Sequence, residues 1–231
     1  IQQQKMASLL DTAERAKYKA ETESFVRTIQ KENKAKAERR TELAPLFAEL
    51  KQNSLSPEDK QVILERILKN DKTNGEVLVD LVYQSAMDES WDKALKYART
   101  FLDIEGRENA DRLSIGLLQP EILHNIGQKD EARARLEGFK HRTRDPWYRA
   151  IGECLLAERT EESLTEKAGE SPEYLITAHV ALGFWAEGSG DKRKASSHYK
   201  EALGSYMDDM LEFEFARERI KRLRLVPEGK D

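Results

Sequence analysis

Four histidines, a single cysteine and a few paired carboxylates are the side chains of this 231-residue chain best suited to chemistry. His124, His141, His179 and His198 include no pair four residues apart and no HExxH run, and Cys154 has no second cysteine to join it. Zinc needs cysteines or closely spaced histidines, so no metal centre and no cofactor are expected. His179 falls at the buried edge of a helical pattern, which predicts a packing histidine with its hydrogen bonds satisfied. Cys154, beside Leu155 on the apolar side of its helix, reads as a small hydrophobe and not a nucleophile. Gly188-Ser189-Gly190 is too short and wrongly placed to cradle a phosphate. Asp208-Asp209 and Glu161-Glu162 fall at expected helix starts, where capping and the helix dipole account for them. No catalytic residue is assigned, and the chain reads as non-enzymatic.

Charge narrows the partners further. Lys31 to Arg40 and Arg133 to Arg144 are basic runs, but Glu32 and Glu38 interrupt the first and the charge is mixed, so solvated helix faces are expected. The net charge of −4 leaves no global field to hold nucleic acid. No apolar run is long enough to span a bilayer, and direct membrane contact is not indicated. The chain begins at Ile1, inside a helical pattern. It therefore reads as a soluble fragment, with the cytoplasm favoured and trimming from a membrane-anchored or exported parent left open.

The elements are best approached from Ser171 to Leu203. Ser171 can cap a helix, Pro172 suits its first turn, and Glu173 favours the positive end of the dipole. Leu175, Ala178, Leu182 and Trp185 then recur at helical spacing, with Val180 and Phe184 on a neighbouring stripe. Gly188, Gly190 and Asp191 separate this helix from a second, whose buried side reads Ala195, Tyr199, Ala202 and Leu203. Gly183 and Ala195 let the two helices approach, while Tyr199 and Ala202 fill the seam. Leu182-Gly183, Ala195, Tyr199 and Ala202 stand in the order and spacing of a tetratricopeptide repeat (TPR), which this stretch resembles. That family builds helix–turn–helix units of about 34 residues. Its frequent proline after the second helix is absent, for Met207 and Asp208 stand there.

The same pattern returns elsewhere. Leu78, Leu81 and Val82 face Ala94, Tyr97, Ala98 and Phe101 in a hairpin over 75–106, and Ala94 follows Leu81 by 13 residues, as Ala195 follows Leu182. A third unit spans 111–142, with Ala132 in its seam and Pro120 predicting a kink near Gly116. Asp145-Pro146-Trp147 opens a fourth, whose second helix, Thr160 to Ala168, is short. Thr41 is expected to cap a further helix carrying Leu43, Phe47 and Leu50. Asn53 and Ser54 break it, and Ser56-Pro57-Glu58-Asp59 starts its partner with Ile63, Ile67 and Leu68. Before these units, residues 1–40 read as one long helix or linker; Met6, Leu9, Ala13, Ala16 and Ala20 keep heptad spacing only briefly. Phe25, Val26 and Ile29 must pack either on the chain's own first hairpins, near Phe47 and Ile63, or on a second chain. Met207 to Leu225 reads as a capping helix with the stripe Phe213, Ala216, Ile220 and Leu223, and Val226 to Asp231 as a tail.

The expected architecture is thus all-α: a right-handed α-solenoid of TPR-like hairpins over 41–209, a long N-terminal helix over 1–40 and a C-terminal capping helix over 210–225. In stacks of this kind the first helix of each hairpin lines the concave face. The resemblance places Val79, Tyr83, Leu117, Glu121, His124, Tyr148, Val180 and Phe184 towards that groove. Chaperone-binding members of the family carry Lys and Asn there to clamp a terminal carboxylate; these residues are mostly apolar, so no such clamp is expected. The implied function is a scaffold holding a protein or peptide in the groove. A regulatory peptide sensor within a larger protein, and a homodimer formed through the N-terminal helix, are the alternatives.

Overall fold

The structure is a computed structural model that describes residues 2–51, 55–104, 106 and 108–225. Among the described residues every regular element is helical and there is no strand. In chain order the elements are α1 (Gln2–Leu50), α2 (Pro57–Asn70), α3 (Gly75–Met87), α4 (Trp91–Asp103), α5 (Ala110–Asn125) and α6 (Lys129–Arg142). They continue as α7 (Pro146–Leu155), α8 (Glu161–Ala168), α9 (Pro172–Gly188), α10 (Lys192–Leu203) and α11 (Leu211–Leu225). The expected break at Asn53-Ser54 and the expected tail, Val226 to Asp231, lie outside the described residues. So do the side chains of Met6, Leu9, Ala13, Ala16, Ala20 and Ile29.

The chain divides into two units, residues 1–55 and 56–231, and each is described by itself. In the first, α1 runs unbroken through Thr41, which corrects the expected helix start there. Instead of capping, Thr41 Oγ1 donates back to the Ala37 carbonyl at 3.1 Å, as a mid-helix threonine does. Pro45 also lies inside the helix. Phe25 and Val26 are 66% and 45% exposed.

In the second unit local chemistry sets the helix ends. Ser56, Asn74, Asn109, Asp145, Thr160, Ser171 and Asp191 each accept a backbone N–H of the following first turn through the side chain. Prolines occupy the first position of α2, α7 and α9. Four helices end alike: Glu89, Gly127, Ala157 and Gly190 take positive φ, at 58°, 82°, 61° and 85°. The N–H of the next residue reaches back to the carbonyls of Ser85, Leu123, Glu153 and Ala186 at 2.8, 2.9, 2.8 and 2.9 Å. These are Schellman closures, which satisfy carbonyls the helix end leaves open. They sit at the same place in each hairpin.

Packing follows from which faces are apolar. The α9–α10 seam matches its expectation: Ala195, Tyr199 and Ala202 are fully buried, and a Cβ on Gly183 would lie 2.8 Å from Tyr199 Cε1. Gly116 is held the same way against Phe139, and α5 continues past it through Pro120. α5 and α9 bury residues all round, the mark of a central helix. α9 is surrounded by α5, α7, α8, α10 and α11, and α5 by α3, α4, α6, α7 and α9. In a regular stack each hairpin touches only its neighbours. Here that order is broken twice, where α9 packs along α5 and where α11 packs against α3. One core joins Tyr83, Ile122, Phe184, Tyr199 and Phe215; a second joins Leu136, Trp147, Ile151, Leu164 and Leu182.

Candidate functional site

The eight residues assigned to a groove do not line an open one. Val79, Tyr83, Leu117, Glu121, His124, Val180 and Phe184 are all buried, and Tyr148 is half-buried. Leu117 and Tyr148 belong to the second core, beside Trp147 and Ile151. α11 lies over Tyr83 and Phe184. Phe215 meets Tyr83 and Phe184 edge-on, with ring centroids 6.0 and 5.0 Å apart. Tyr83 Oη donates to Glu212 Oε1 at 3.0 Å, and Ser114 Oγ, which also shares a hydrogen bond with Tyr148 Oη, donates to the same oxygen at 3.2 Å. The expected stripe of α11 is therefore rotated. Glu212, Phe215, Ala216, Arg219 and Ile220 are its buried residues, while Phe213 is half-buried.

Arg219, expected only to balance the helix dipole, is 3% exposed and lies at the centre of this contact. Its guanidinium pairs with Glu187 on α9 and donates through Nη1 to Glu89 Oε1 at 3.0 Å. Tyr199 Oη donates to Glu187 Oε2 at 2.9 Å, and Trp91 and Phe184 present their rings to the cation at 5.7 and 5.8 Å. A buried charge needs partners of this kind. The pattern was readable in one respect: Arg219 falls four residues after Phe215 and three after Ala216, on the apolar stripe.

Two carboxyl groups in the region, buried Glu121 and half-buried Asp80, behave differently. Burial alone pushes Glu121 well above the usual carboxylate range, and its Oε1 has no hydrogen-bond partner. Burial, then Glu76 and Glu214, raises Asp80 to about 6. His124 is turned away from α11: its ring stacks on Trp185 at 4.0 Å and its Nε2 meets Ser189 Oγ at 2.9 Å. Burial, then Lys129, lowers its pKa.

An open cleft of about 720 Å³ lies beside the ends of α7 and α9, lined among others by Cys154, Arg159, Glu161, Trp185 and Lys194. Burial pushes the Cys154 thiol up to about 11, which disfavours a nucleophilic thiolate. His179 and His198 are hydrogen-bonded through their Nδ1 atoms at 3.2 Å. His198 Nε2 stands 3.5 Å from Glu161 Oε2 without meeting hydrogen-bond geometry, and Lys194 Nζ meets Glu161 Oε1 at 2.5 Å. Burial lowers both imidazoles, His179 also through His198. Among the described residues no group of three or more His, Cys, Asp or Glu could hold a metal ion. No helix among them is long and apolar enough to cross a membrane.

Compared with protein-family models and with curated proteins, the chain matches none.

Proposed function

We propose that the chain is a non-enzymatic scaffold of TPR-like hairpins, arranged as a short right-handed superhelix, whose α3–α9 face receives a helical segment of a protein. The carrying observation is the seat of α11. Tyr83, Phe184 and their neighbours take an amphipathic helix by its stripe of Phe215, Ala216 and Ile220, and helix-in-groove recognition uses such anchors. The repeated Schellman turns at Glu89, Gly127, Ala157 and Gly190 and the buried seam alanines Ala94, Ala132 and Ala195 support the repeat reading. In this chain the receiving face holds its own C-terminal helix. A partner helix of similar pattern would take the same seat by exchange.

The test is a protease site placed between Ser205 and Asp209, cut after folding. The nicked protein should keep its helicity, and a labelled peptide of residues 207–225 should exchange into it, with Phe215→Ala peptide failing to do so. Unfolding on cleavage, or no exchange, makes α11 a fixed part of the core and sinks the reading.

Self-association through α1 is a second reading, favoured by the exposure of Phe25 and Val26 on a helix that does not reverse between residues 30 and 40. Sedimentation at several concentrations should show a dimer that Phe25→Ser/Val26→Ser converts to monomer; a wild-type monomer throughout ends this reading.

A further inference from the structure

The outer sides of α2 and α4 carry a feature that the α11-covered face does not explain. Both helices pack on α3, and between them opens a cleft of about 540 Å³. Its lining is Glu65, Leu68, Lys69 and Lys72 from the α2 side and Lys93, Lys96, Tyr97 and Thr100 from α4. Four lysines therefore face one carboxylate. That carboxylate is already engaged: Glu65 Oε1 accepts from Gln61 Nε2 at 3.0 Å, Tyr97 Oη at 3.2 Å and Lys93 Nζ at 3.3 Å.

Glu65 thus ties α2 to α4 and neutralises Lys93 locally. Lys69, Lys72 and Lys96 remain exposed on the rim, and among the described residues no carboxylate lies at ion-pair distance from them. Leu68 and Tyr97 are half-buried in the lining. The chain as a whole is acidic, at −4, so this concentration of positive charge runs against its average.

We infer that the α2–α4 cleft is a docking surface for an acidic amphipathic segment of a protein partner. Charge complementarity selects the occupant: carboxylates would meet Lys69, Lys72 and Lys96, and an apolar ridge between them would cover Leu68 and Tyr97. Complementary rims of this kind raise the association rate and fix orientation more than they add affinity. A lipid surface fits less well, because Leu68 and Tyr97 are half-buried in the lining while the lysines are exposed. The surface is separate from the seat of α11 and does not depend on that helix being displaced.

The probe is a fluorescein-labelled helical peptide of Glu and Leu, its leucines spaced to form one stripe, titrated into the full chain and followed by anisotropy. Binding should saturate and weaken about ten-fold in Lys69→Glu/Lys96→Glu. Lys69→Gln/Lys96→Gln, which adds no repulsion, should give a smaller loss in the same direction. Raising the salt from about 50 mM to about 300 mM should also weaken it, as screening requires. A control with Arg133→Glu/Arg135→Glu on α6 should bind as the wild type does. Circular dichroism of every variant should be unchanged, since the altered lysines are exposed. Absence of saturable binding overturns the inference, and so does an equal loss in the α6 control, which would mean attraction to charge in general. Two other results would replace the occupant: binding to phosphatidylserine vesicles but not to the peptide, or lysine-dependent self-association in sedimentation.

Discussion

The hairpins α9–α10 and α7–α8 follow one another in the chain and solve the same packing problem differently. The first has helices of 17 and 12 residues, the second of 10 and 8. At about 1.5 Å per residue, α9 is roughly 25 Å long and α7 roughly 15 Å. The excess lets α9 reach past the short hairpin and pack on α5. A shortened hairpin therefore lets the next hairpin touch the one before. The glycines of the two hairpins make the contrast sharp. Gly183 stands 12 residues before Ala195 and Gly152 stands 12 before Leu164, the same register. Yet a Cβ at Gly183 would lie 2.8 Å from the Tyr199 ring, while at Gly152 it would meet Lys140 Cβ at 3.6 Å, an ordinary contact with α6.

The largest test of this contrast is Gly183→Leu, which should destabilise the protein by about 3 kcal/mol, the upper part of the usual overpacking range. Denaturant unfolding measures it, and an unchanged midpoint would mean that α10 can move away freely. Gly183→Ala should cost about 1–2 kcal/mol for the same reason. Gly152→Ala should instead stabilise by about 0.5–1 kcal/mol, since alanine is the better helix former and nothing obstructs it. Equal effects at the two glycines would remove the distinction between the hairpins.

A pH series probes the long hairpin's histidine pair. Both imidazoles have folded pKa values below the ordinary 6.5, first because of burial. Their contribution to stability is whole above 6.5 and is lost as the pH falls through the depressed folded values. Asp80 and Glu121 have raised values and act in the opposite sense. The informative quantity is thus the difference between wild type and His179→Gln/His198→Gln: the wild type should lose more melting temperature between about pH 7 and 5. Parallel curves would show that the pair does not titrate with folding.

The smallest effect is expected at the turn of the short hairpin. Ala157 holds φ 61°, where a Cβ is strained. Ala157→Gly should gain about 0.5 kcal/mol, the relief being partly offset by the freer unfolded chain. Glu89→Gly, at the matching turn, should gain nothing because it removes a partner of Arg219.

Most of the helices were legible because their boundaries are written locally. Ser171-Pro172 and Asp145-Pro146 name helix starts, and Gly127 and Gly190 name turns. Thr41 misled because a threonine bonded to the carbonyl four residues back looks, in sequence, like a cap. Ala157 carried no turn signal, since it is not glycine. The residues assigned to the groove lie on α3, α5, α7 and α9, but burial of Tyr83 and Phe184 depends on which helix covers them. An amphipathic stripe states that α11 must pack; it does not state where. Arg219 was assigned to the dipole because sequence shows charge and not the Glu187 and Glu89 carboxylates that gather around it.

The hydrogen bond from Tyr83 to Glu212 joins residues 129 apart. Repeat arrays held only by neighbour contacts can unzip from either end, one unit at a time. A last helix clasped to an early one leaves no free end there, because fraying α11 also uncovers α3 and α9. Residues 56–225 should accordingly melt as one cooperative block, and slowly re-form, since the clasp waits on closure of a long loop.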